Sequence, residues 1–92
     1  MIARILGEGQ WELADADLAD LNTLDRAVEA AVESGDQATF TLSLTALLDA
    51  VRKAGTPVAA DSLDESDLIL PPSDATIEEV RELLSDDGLI PG

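Results

Sequence analysis

The sequence predicts an α+β domain: an N-terminal β-hairpin packed on an antiparallel helical hairpin, with a short strand at 68–70 and a short C-terminal helix. Three observations predict it. Leu18, Leu21, Leu24, Val28 and Val32 recur at three- and four-residue steps, as do Phe40, Leu44, Leu47, Leu48 and Val51, so each set forms one apolar helical stripe. The connection Ser34-Gly35-Asp36 is so short that the two helices must lie antiparallel and bury those stripes together. Ahead of them, residues 2–14 alternate apolar and polar around a glycine-rich turn, the pattern of a hairpin.

The hairpin register follows from the side chains. A two-residue turn at Glu8-Gly9 would set Arg4 opposite Leu13 and Ile5 opposite Glu12, mixing the faces. A three-residue loop, Gly7-Glu8-Gly9, sets Ile5 opposite Trp11, Ala3 opposite Leu13 and Arg4 opposite Glu12, giving one apolar and one charge-paired face. The second register is the expectation, with Gly9 at the left-handed position of the loop. Trp11 is then a core anchor above the helices.

Asp15 or Asp17 is the expected cap of the first helix, Gly35 its left-handed stop, and Asp36 the cap of the second, which Gly55 ends. Asp25 falls inside the first apolar stripe. It either finds a donor, with Arg4 and Arg26 as candidates, or reaches solvent from the stripe edge, and the second is the expectation. Leu42 points away from the stripe of the second helix, where a partner helix could dock. Residues 56–72 read as a long connection with an acidic patch, Asp61, Asp64, Glu65 and Asp67. It ends in Leu68-Ile69-Leu70, which Pro71-Pro72 confine to an edge or end of the sheet. Thr76 and Glu79 form a capping box for the third helix, whose stripe is Ile77, Val80, Leu83 and Leu84. Gly88 stops it, and Leu89-Ile90-Pro91 is expected to pack back.

Ninety-two residues make a single domain, and 46% apolar content makes it a folding one. Twenty acidic residues against five basic ones leave a net charge of −15. That field repels phosphate backbones and anionic lipid, so nucleic acid and direct membrane binding are not expected; a basic or dipole-presenting protein surface is the fitting partner. Dispersed acids serve solubility or salt adaptation equally well. No leader or apolar run of membrane-spanning length is apparent, and the cytoplasm is the expected compartment.

The chemistry that is missing narrows the function. Without His or Cys, the commonest bases, nucleophiles and soft metal ligands are gone. Gly7-Glu8-Gly9 is not a phosphate-binding loop, since it precedes a strand. Asp15, Asp17 and Asp20, and the acids of 61–67, lack the spacing of a calcium loop, so no metal or cofactor is expected. Ala60-Asp61-Ser62-Leu63-Asp64 resembles the Asp-Ser-Leu attachment site of acyl carrier proteins. However, Pro71-Pro72 leaves too little room for the long helix that the serine opens in that family.

A wider resemblance spans the chain. Met1-Ile2 with Arg4-Ile5, Gly7-Glu8-Gly9-Gln10, Leu21-Asn22 with Leu24-Asp25, and Ser34-Gly35-Asp36 recur in order with Ser66-Asp67-Leu68-Ile69-Leu70-Pro71-Pro72, Asp74-Ala75-Thr76 and Asp87-Gly88-Leu89-Ile90-Pro91. In these stretches the sequence resembles the PspA-associated protein family, with Trp11 where that family commonly has tyrosine. The resemblance implies a non-enzymatic adaptor or regulatory partner of PspA, the coiled-coil protein of the phage-shock membrane-stress response. It would reach the membrane only through that partner. Contacts are expected at the exposed tip residues Glu8 and Gln10, at Asp67, and along the rim Pro71-Pro72. An acyl-carrier-like protein modified on Ser62 and a self-associating structural domain, a homo-oligomer, are the alternatives.

Overall fold

The computed structural model describes residues 1–58 and 68–83. Strands β1 (Ile2–Ile5) and β2 (Gly9–Glu12) form the hairpin, and a 3-10 turn (Asp15–Asp17) leads into α1 (Leu18–Ser34) and α2 (Gln37–Ala54). The chain continues through β3 (Thr56–Val58), β4 (Leu68–Leu70) and α3 (Ile77–Leu83). The sheet runs β3-β2-β1-β4, with β1 antiparallel to β2, β2 antiparallel to β3, and β1 parallel to β4. This is the predicted α+β architecture, and the prolines do leave β4 at a sheet edge. The sequence reading did not include β3, whose Pro57 is also tolerated because the strand is an edge.

Both helical stripes close on one face of the sheet. Ala3, Ile5, Leu68 and Leu70 point from the strands into a core shared with Leu21, Val28, Phe40, Leu44, Leu47, Leu48 and Val51. Asp36 caps α2 as expected, its Oδ1 accepting the Ala38 and Thr39 amides at 3.1 and 3.3 Å while its Oδ2 takes the Thr39 hydroxyl at 2.8 Å. Those bonds favour the charged carboxylate, and the Thr39 hydroxyl leads in holding its pKa below the ordinary range. Gly35 ends α1 at φ 75°. Neither Asp15 nor Asp17 caps α1 through its side chain. The 3-10 turn runs directly into the helix, and Asp17 instead accepts the Ala14 amide at 3.3 Å.

The third helix is seated on the second. Gln37 accepts the Ile77 amide at 3.1 Å and donates to the Ala75 carbonyl at 3.4 Å, tying the start of α3 to the start of α2. Thr76 and Glu79 form the reciprocal capping box, with Glu79 N–H donating to Thr76 Oγ1 at 3.3 Å and Thr76 N–H donating to Glu79 Oε1 at 3.4 Å. Ile77 and Val80 are buried below it. The expectations on the Leu83 side chain, Leu84, Gly88 and the tail 89–91 lie outside what is described.

Two further expectations are corrected. The hairpin pairs Ala3 with Trp11, Arg4 with Gln10 and Ile5 with Gly9, a slip of two residues from the expected register. The loop is therefore Leu6-Gly7-Glu8, closed by Glu8 N–H to the Ile5 carbonyl at 3.0 Å with Gly7 at φ 83°. A slip of two preserves which side chains face the core, so alternation alone cannot detect it. Size complementarity favours the observed pairing. The bulk of Trp11 lies opposite the small Ala3, and Ile5 lies opposite Gly9 at φ 147°. The second correction is Asp25, which is buried at 2% exposure within α1 and does not stand without a partner. Trp11 itself is half-buried and packs against the core rim.

Candidate partner interface

The predicted contact residues sort into different environments. Glu8, at the hairpin tip, is gripped from α2: Arg52 Nε lies 3.1 Å from Oε2, and Nη2 lies 2.6 and 2.7 Å from Oε1 and Oε2. Arg52 Nη1 also reaches Asp49 Oδ1 at 2.7 Å, one turn back on the same helix. The hydrogen bond to the Glu8 carboxylate leads in raising the Arg52 pKa above its ordinary value. The tip is thus fastened to the helical layer, and Arg52 is the residue that sequence reasoning missed. Its place in the last turn of α2 was readable, but its reach to the tip depends on how the sheet lies across the helix.

Gln10 is half-buried and lines a cleft of about 350 Å³ with Arg4, Gly7, Gly9, Trp11, Pro57 and Val58. Its Oε1 is buried and accepts no hydrogen bond. Pro71 is buried and Pro72 half-buried beyond the end of β4, so the structure does not bring them into the cleft. Asp67 lies outside the described residues, as do Ser62 and the acids at 61, 64 and 65. Leu42 on α2 is the most exposed large apolar side chain among the described residues at 75%, with Ile69 on β4 at 50%.

No group of three acids is placed to hold a metal ion among the described residues. Asp15, Asp17 and Asp20 lie on the turn and first turn of α1, facing solvent or half-buried. No helix among the described residues is long and apolar enough to cross a membrane.

Comparison with known families places the chain in one of them. The sequence model of the family described as PspA-associated protein matches residues 1–92, the whole chain. The chain belongs to the PspA-associated protein family. The name of that family states an association with PspA, and it is not a known enzyme family. Searches of curated proteins and of solved structures each returned no match. In this PspA-associated chain a second groove lies between the start of α1 and the end of α2, lined by Asp20, Leu21 and Lys53.

Proposed function

We propose that this chain is a non-enzymatic adaptor or regulatory partner of a PspA-like coiled-coil protein, docking through its acidic surface and the Gly7–Gln10 hairpin tip. The observation that carries the reading is the family match over the full length. The hairpin supports it physically. The Arg52 grip on Glu8 presents a pre-ordered tip, and an ordered contact surface loses less conformational entropy on binding than a free loop. A charge of −15 keeps the chain off anionic lipid and lets it approach a basic stretch of a long helical protein. Asp67 and Pro72 are proposed as further contact residues.

The test is co-sedimentation of the purified chain with its PspA-type partner, with intact mass recorded after expression beside a phosphopantetheinyl transferase. Co-migration with an unmodified mass is the expected result. A modified Ser62 would favour the acyl-carrier alternative. Light scattering that reports only self-association would favour the structural one.

A further inference from the structure

The face of the sheet turned away from the helices carries one row across all four strands: Val58, Gln10, Arg4 and Ile69, each opposite the next in register. Arg4 is exposed, and no carboxylate or carbonyl engages it among the described residues. Arg26 and Lys53 are exposed as well, but Arg4 is the basic side chain that lines the cleft. The observed register explains why no carboxylate engages it: Glu12 pairs with Ile2, and both cross-strand neighbours of Arg4 are uncharged. Gln10, beside it, has a buried Oε1 with no partner, so its amide forfeits no bond through that oxygen by turning. Val58 and the half-exposed Ile69 flank the polar pair with aliphatic surface.

We infer that this row docks a carboxylate side chain of the PspA-type helical partner, an inference that rests on the partner reading above. The Arg4 guanidinium takes the two carboxylate oxygens through its parallel N–H groups, and the Gln10 NH2, turned into the cleft, adds a third donor. Val58 and Ile69 meet aliphatic neighbours of that acid on the partner helix. A basic side chain does not fit here, because Arg4 repels it and Glu8, at the cleft rim, is already held by Arg52. The rest of the acidic surface draws in basic regions of the partner, while the cation set in this cleft accepts one acid and selects the register in which the two proteins meet.

The test is the Kd of the PspA-type partner for wild-type, Arg4→Met, Arg4→Glu and Arg26→Glu chains, with circular dichroism on each variant. Arg26 is exposed on α1 and serves as the net-charge control. Arg4→Met is expected to weaken binding about tenfold or more, the loss of one well-placed arginine contact. Arg4→Glu should weaken it further, and Arg26→Glu should stay within about twofold. A Glu→Arg or Asp→Arg replacement at one partner position should restore affinity for Arg4→Glu. Folded Arg4→Met that binds like wild type would overturn the inference while leaving the partner reading standing. Equal losses in Arg26→Glu and Arg4→Glu, or no restoring partner position, would overturn it likewise. Absence of binding by the wild-type chain would overturn both.

Discussion

Arg52 and Glu8, far apart in sequence, meet as a forked ion pair that fastens the hairpin tip to the last turns of α2. Both side chains remain about one-third exposed, 30% and 38%, so solvent screens much of the attraction. Glu8→Ala is expected to lower stability by less than about 1 kcal/mol, in the range of exposed ion pairs. A urea double-mutant cycle with Arg52→Ala measures it directly. A coupling much above that range would mean that the pair organises the sheet and does more than steady its tip.

The glycines of the hairpin set a harder constraint. Gly9 sits at φ 147°, a region that side chains rarely enter, and Gly7 sits at φ 83° inside the turn. Gly9→Val should cost on the order of 1–3 kcal/mol in urea unfolding, clearly more than Glu8→Ala. Open space near Gly7 means that Gly7→Ala carries only the backbone strain, about 1 kcal/mol.

Gly55 is constrained by contact. A methyl there would lie 2.7 Å from Trp11 Cβ and 2.8 Å from the Val51 carbonyl oxygen, where β2 crosses the end of α2. Neither neighbour is a flexible side-chain end, so Gly55→Ala is expected to destabilise by about 1–3 kcal/mol, read as a lower urea midpoint with unchanged slope.

How far the sequence predicted these features depended on their range. The two helical stripes, the Asp36 cap, the Thr76–Glu79 box and the edge strand at 68–70 are local patterns, and each is found in the structure. The hairpin register was not, because a two-residue slip keeps every side chain on its face and only the sizes of Ala3 and Gly9 opposite Trp11 and Ile5 distinguish it. Asp25 looked like a solvent-reaching edge residue, since a wheel shows direction and not what covers it; it is buried. For the interface, Glu8 was readable as a tip residue, whereas Gln10, expected beside it as an exposed group, lies half-buried in β2 opposite Arg4. The Arg52 grip and the isolation of Arg4 were not readable, because both arise from tertiary placement.

Asp36 yields a pH prediction. Its folded-state pKa is depressed, so its contribution is full above the unfolded carboxylate pKa and is lost as pH falls through the lower folded value. Asp36→Asn keeps a capping oxygen but removes the charge. At neutral pH the variant should unfold at lower urea than wild type, and the two curves should converge below the carboxylate range. A difference that persists in strong acid would assign the effect to something other than ionised Asp36.

The central claim is capture of a PspA-like partner by an acidic domain, and stopped-flow association of the two proteins across a salt series tests it most directly. A measurable association rate at low salt is predicted, falling steeply as added salt brings the Debye length to about 8–10 Å. No association at any salt concentration would contradict the claim, and a rate indifferent to salt would contradict the role given to the −15 surface.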